Sequence, residues 1–246
     1  MSQSLFKRAV GHVTRKGLLR LLATVVSILI IQPAWADATV EDQKDDETLK
    51  KTAAVLQEML SRHDVAMYVL AKADCIIVLP GVKKFSIGIG GSGGGGAMSC
   101  RTGANFTGPW SAPALYSIGG ASVGLQLGGS STDFVLLLMS DKGVDVVLKG
   151  KTKLGSGASV AAGPSGATTT SGVGASDVLS YGRTSGLFAG VSLGGATLEP
   201  DNKGNKNLYG RAITASEIVL ANAVQTPAAG QPLISLLNSK VAEHSK

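Results

Sequence analysis

The chain has 246 residues, 44% hydrophobic and 16% charged, which is enough to bury a core and too apolar for a disordered chain. Its 33 glycines are nearly twice the usual share of about 7%, but they follow no three-residue period and only 8 prolines accompany them. A collagen-like chain is excluded. Of the formal charge of +6, five units belong to the first 36 residues, where Lys7, Arg8, Arg15, Lys16 and Arg20 stand with no acid, and the remainder is almost neutral. With few aromatics and no long basic run after that leader, no nucleic-acid partner is expected.

The leader joins this basic region to an apolar run, Leu21 to Ile31, and ends in Ala34-Trp35-Ala36. That order predicts a secretory signal peptide over residues 1–36, cut between Ala36 and Asp37. The apolar run is too short for the ~20 residues of a membrane span. With no cysteine near the cut, a lipoprotein anchor is not expected, and the mature protein is expected to be exported, periplasmic or envelope-associated.

An acidic segment, 37–47, follows and suits the positive end of a helix after it. Leu49, Ala53, Leu56 and Leu60 then recur at helical spacing, with Lys50, Lys51, Gln57, Glu58 and Arg62 on the opposite face. The stripe predicts a helix docked on its own core, and a short second helix is predicted over 64–73.

From Cys75 the period changes to two. Cys75 to Leu79 and Phe134 to Met139 are continuous apolar runs of strand length. Ile87 and Ile89 alternate with glycine, Val123, Leu125 and Leu127 with Gly124 and Gln126, and Leu187, Ala189, Val191 and Leu193 with small residues and Phe188. Such strands permit strong curvature and close backbone approach. Ser159-Val160-Ala161-Ala162-Gly163-Pro164 reads as a strand followed by a turn. Thr214 with Glu217 forms a capping box ahead of Ile218, and Leu233 to Val241 reads as a last short helix. The predicted fold is α+β, a curved antiparallel, barrel-like, glycine-rich β core flanked by N-terminal and C-terminal helices, in one domain over 48–246.

Cys75 and Cys100 form either a disulfide or two buried thiols; export and their placement in neighbouring strands favour the bond.

Catalytic and metal chemistry finds little support. Gly88 to Gly93 satisfies G-x-G-x-x-G, but no helix pattern follows it, so it reads as a glycine-rich hairpin. There is no G-x-S-x-G, and past the leader the only histidines are His63 and His244. Asp133, Asp141, Asp145 and Asp177 fall at strand ends and turns, where solvated aspartate is ordinary. No enzymatic activity, metal or cofactor is expected.

Ala71-Lys72-Ala73-Asp74-Cys75-Ile76-Ile77-Val78-Leu79-Pro80, then Val82-Lys83-Lys84, Trp110-Ser111-Ala112-Pro113, Gly119 to Gly129, Asp133 to Met139, Lys153-Leu154-Gly155, Ala161 to Pro164, Gly186 to Leu198 and Asn207-Leu208-Tyr209-Gly210 together resemble the SYLF domain. The resemblance runs collinearly over roughly Thr48 to Val224. It implies a non-catalytic module that binds phospholipids, phosphoinositides in eukaryotic members, with an actin role in some. The chain departs from the eukaryotic adaptors in showing no SH3 or FYVE segment and in its acidic segment. By that likeness Lys83, Lys84, Arg101 and Lys153 are candidate lipid-headgroup contacts, and Lys149 and Lys151 join them on charge. Membrane phospholipid is the expected partner, and an envelope protein the alternative.

Overall fold

Two continuous apolar runs beside long glycine-rich stretches demand a sheet covered on both faces, and the computed structural model has one. It describes residues 34–154, 160–162, 176–184, 187–189 and 196–241. The described residues past Val40 belong to one compact unit, Glu41–Lys246. Helix α1 spans Ala34–Ser61 and the short α2 spans Met67–Leu70. Strands β1 (Cys75–Cys100) and β2 (Ala114–Leu138) follow, then α3 (Asp141–Leu148). Next come β3 (Thr152–Lys153), β4 (Val160–Ala162), β5 (Val178–Thr184), β6 (Leu187–Ala189) and β7 (Thr197–Pro200). Helices α4 (Asn202–Tyr209), α5 (Ala215–Val219) and α6 (Gln231–Lys240) close the described chain.

The sheet runs β3-β7-β2-β5-β4, with β1 also on β2 and β6 on β5. All pairs are antiparallel except β4 with β5, which is parallel. β2 serves two neighbourhoods. Its first part, Tyr116 to Gly119, pairs with β7, and its last part, Thr132 to Leu138, pairs with β5, while β1 follows it along nearly its whole length.

The β1–β2 ribbon is doubled over. At ~3.3 Å per residue, 26 residues would extend more than about 80 Å, yet the Cα atoms of Cys75 and Cys100 at the two ends of β1 are 4.0 Å apart. A disulfide joins them. Bulges between Leu79 and Val82 and between Ser86 and Gly88 provide the bends. Gly81 sits in the first at φ +58°, a left-handed conformation that glycine takes without strain. The run Gly88 to Gly93 is extended backbone inside β1, paired with β2 from Gly124 to Gly119, so it is a strand segment rather than a hairpin turn or a phosphate loop.

Strand alternation sorts the apolar runs onto two faces. Ile76, Val78, Val135, Leu137, Leu179 and Tyr181 pack against α1, α2 and α6 through Leu49, Leu56, Leu70 and Leu237. Cys75, Ile77, Leu79, Phe134, Leu136 and Leu138 face the other way, toward α3 and α5 through Val144, Val147 and Ile218. Because both faces are buried, the sequence shows no polar alternation there.

The predicted stripe of Leu49, Ala53, Leu56 and Leu60 is buried as read. Helix α1, however, begins well before residue 48 and includes 37–47. The acidic segment therefore lies inside the helix, mostly beyond the first turn where the dipole acts, rather than ahead of its positive end, and Glu47 pairs with Lys51 one turn on, at 2.7 Å. The expected helix over 64–73 contracts to the single turn of α2. The Thr214–Glu217 capping box is present in both directions, with Glu217 N donating to Thr214 Oγ1 at 3.2 Å and Thr214 N to Glu217 Oε2 at 2.8 Å. The expected strand beyond Ala189 lies outside the described residues, as do His244 and residues 1–33 of the leader, while Ala34, Ala36 and Asp37 at the expected cut fall inside α1.

Candidate functional site

The candidate lysines fall into two groups. Lys83 and Lys84 follow the first bulge of β1, paired with Ser131 and Ser130 of β2, and both are exposed. Their position is fixed from beneath, because Gly81 N donates to Asp133 Oδ1 at 2.8 Å and pins the bulge to β2. Lys83 Nζ donates to Ser131 Oγ at 3.2 Å, and Lys84 Nζ lies 5.6 Å from the Phe134 ring centroid. Consecutive strand residues leave opposite faces, so the pair flanks the ribbon. Neither has a carboxylate partner among the described residues.

Lys149, Lys151 and Lys153 cluster around the turn from α3 to β3, where Gly150 at φ +114° reverses the chain. All three are exposed, but Lys151 is paired with Glu199 at 3.6 Å. The register links Lys153 through Thr197 and Gly119 to Gly93 of β1. Three strand spacings, about 14 Å, therefore separate this group from β1 along the row, beyond one Debye length at physiological salt.

Arg101 does not belong with them. It is 1% exposed, so no headgroup reaches it. Its Nη2 donates to Val241 O at 2.6 Å, its guanidinium stacks 4.8 Å from the Trp110 ring centroid, and the buried Asp74 faces it electrostatically. Burial pushes its pKa down and Asp74 opposes that. Trp110 completes the lock: its Nε1 donates to Val241 O at 3.3 Å, and its backbone N to Asn238 Oδ1 at 3.1 Å. The Trp-Ser-Ala-Pro segment thus fastens the C-terminal helix to the end of β1. Its Ser111 Oγ accepts from Cys100 N at 3.1 Å, and Pro113 O accepts from Tyr209 Oη at 2.6 Å.

Among the described residues the other buried cation, Arg183, is also structural. Arg183, 8% exposed, holds Glu58 of α1 through both guanidinium nitrogens and reaches Asp133 Oδ2 at 3.3 Å. The hydrogen bond to Glu58, then that to Asp133, drive the Arg183 pKa up, and the same bond holds Glu58 below the usual carboxylate range.

The residues weighed for catalysis stay apart. Asp177 accepts from Ser140 Oγ at 2.8 Å and from Lys142 Nζ at 3.2 Å, Asp141 and Asp145 are exposed on α3, and Asp133 serves Gly81 and Arg183. His63 follows α1 with φ +60° and lines a cavity of about 400 Å³ with Gln57, Leu60, Ser61, Met67, Leu236 and Lys240. Among the described residues no three His, Cys, Asp or Glu side chains stand together to hold a metal, and no helix is long and apolar enough to cross a membrane.

Sequence reasoning missed Asn205 and Asp45. Asn205 is fully buried on α4 and mimics a strand partner, accepting from Leu115 N at 2.7 Å and donating to Leu115 O at 3.1 Å. Asp45 is 8% exposed and extends the apolar stripe of α1 by one turn, four residues before Leu49. An acid on a core face carries no hydrophobic signal.

The family described as Ysc84, Las17-binding protein actin regulator, matches residues 119–240. An SH3 domain-containing protein of Schizosaccharomyces pombe is 44% identical over 140 residues, 54% of this chain and 32% of its own length. Protein YSC84 of Saccharomyces cerevisiae is 33% identical over 204 residues, 78% of this chain and 42% of its own. SH3 domain-containing YSC84-like protein 1 of Rattus norvegicus is 32% identical over 201 residues, 77% of this chain and 58% of its own. The chain thus spans between a third and three fifths of the length of these relatives.

Proposed function

Since the chain belongs to the Ysc84 (SYLF) family through residues 119–240, we propose that it is a non-catalytic module that binds acidic phospholipid surfaces from an exported, envelope-associated location. One observation carries this reading. Lys83 and Lys84 are exposed at a rigid bulge, without a carboxylate partner among the described residues, whereas Arg183, Lys142 and Lys151 are each engaged by acids. A lysine held at an anionic membrane surface is worth about 1 kcal/mol, so a pair gives weak, salt-sensitive attachment that Lys149 and Lys153 extend. Export is supported by the acid-free leader, and an oxidising compartment by the Cys75–Cys100 bond.

The test is co-sedimentation of the purified protein with vesicles of graded anionic content at low and high salt. Binding should rise with anionic lipid, fall with salt, and weaken about tenfold or more in Lys83→Glu/Lys84→Glu. No sedimentation with any mixture would refute the reading.

A second reading, a protein-interaction module, draws on the relatives, one of which bears the name LAS seventeen-binding protein 3. It predicts a stoichiometric protein partner whose capture is unaffected by the lysine reversals.

A further inference from the structure

A left-handed residue at the end of an α-helix is ordinarily glycine, because a Cβ there is strained. At the end of α1 the residue is His63, with φ +60° and its N–H bonded to Leu60 O at 3.1 Å. The imidazole that replaces the usual glycine lines the cavity between the end of α1, α2 and α6.

The cavity, about 400 Å³, lies within the range of small-molecule sites. Its chemistry is divided. Leu60 is buried beneath it, Met67 and Leu236 are half-buried, and these three supply an apolar floor. Gln57, Ser61, His63 and Lys240 are exposed and supply a polar rim, in which Lys240, on the last turn of α6, is the full positive charge and no carboxylate is present. Lys240 has no ion-pair partner among the described residues. A concave site with an apolar floor, donors at its mouth and one cation matches a single alkyl chain that ends in an anionic oxygen group.

We propose that this cavity is a binding site for a single-chain anionic amphiphile, an alkyl carboxylate, with its chain against Leu60, Met67 and Leu236 and its head group at Lys240 and His63. It draws on α1, α2 and α6, whereas the proposed membrane-facing lysines sit on β1, so it stands without the membrane reading. A free fatty acid offers the chain and the carboxylate together, whereas a membrane lipid offers the chain as an ester with its headgroup phosphate as the anionic oxygen group, and the experiment separates the two.

Calorimetric titration of the purified full chain with decanoate, below its micellar concentration, should give saturable one-to-one binding. Acetate, which lacks the chain, should not bind, and decanol, which lacks the charge, should bind about tenfold more weakly. Lys240→Ala should weaken decanoate about three- to tenfold and leave decanol unchanged. His63→Gly removes the imidazole and relieves the left-handed strain, so it should weaken decanoate without lowering the unfolding midpoint; that pairing distinguishes a ligand contact from a structural residue. Leu236→Glu, on a half-buried position, should abolish binding of both. Vesicle binding lost in Lys83→Glu/Lys84→Glu with decanoate binding intact assigns the free amphiphile; loss of vesicle binding in Leu236→Glu with its midpoint unchanged assigns the membrane lipid as the source. The proposal is overturned by absence of saturable decanoate binding, by equal affinity for decanol and decanoate, or by decanoate affinity that Leu236→Glu leaves intact.

Discussion

Gly96 is pressed so closely against Val78 that a Cβ built on it would lie 1.9 Å from the Val78 carbonyl oxygen and 2.8 Å from the Cα of Leu79. Both residues belong to β1, so this contact is where the strand crosses itself after doubling back. The obstacle is backbone, which cannot rotate away as a side chain can. Gly96→Ala should therefore cost at least about 3 kcal/mol, at or above the upper end for overpacking. The neighbouring Gly95→Ala, whose nearest atom would be Tyr116 O at 3.6 Å, should cost less than about 1 kcal/mol. Urea unfolding of the two variants checks the contrast; equal midpoints would place the crossing elsewhere.

Arg101 and Asp74 make a buried charge relationship at the foot of the same strand. Asp74 is fully buried and Arg101 1% exposed. Arg101→Met would leave the Asp74 carboxylate facing an apolar group and remove the bond to Val241 O, and breaking a buried pair from one side costs about 3–5 kcal/mol. Asp74→Asn combined with Arg101→Met should recover part of that loss in denaturant unfolding. If Arg101 contacted headgroups, the single variant would instead weaken vesicle binding with an unchanged midpoint.

The elements legible in the sequence were those whose signal is local. Alternation and apolar runs located Cys75 to Leu79 and Phe134 to Leu138, the i, i+3, i+4 stripe located α1, and Thr214 with Glu217 located α5. The doubling of β1 was not legible, because glycine is chosen there for what approaches it, and Val78 is 18 residues from Gly96. Arg101 was misread for a related reason: a basic residue in a strand looks the same whether it meets solvent or, as here, Asp74 and the end of α6. Of the candidate site, Lys83 and Lys84 were visible as a charged pair, whereas the cavity joins residues of α1 to residues of α6 and exists only in the fold.

The Cys75–Cys100 bond closes a segment 25 residues apart in sequence and ties the crossing ends of β1. A loop of that size gives a chain-entropy contribution of about 3–4 kcal/mol. Cys75→Ala/Cys100→Ala should lower stability by that order, as read by thermal or denaturant unfolding, and the wild type in reductant should approach the variant. An unchanged midpoint would mean that the Gly96–Val78 crossing and the Arg101 lock hold the ribbon without the bond.

Two carboxylates on α1 should give opposite pH dependences. Burial of Asp45, and then the charge of Asp201, raise its pKa, against a hydrogen bond from Asn207 that lowers it. A raised acid contributes stability below its unfolded pKa and loses it as pH rises through the folded value. Asp45→Asn should therefore raise the unfolding midpoint at pH 7, with the gain fading as pH falls below the ordinary aspartate range. The hydrogen bond from Arg183 lowers the pKa of Glu58. Its contribution is present above the ordinary glutamate pKa and is lost as pH falls through the lowered value, so Glu58→Gln should lower the midpoint at pH 7 and converge with the wild type in acid. Midpoints of the three proteins measured from pH 2 to pH 8 check both signs at once. A Glu58→Gln curve parallel to the wild type would show that Arg183 holds α1 by geometry alone.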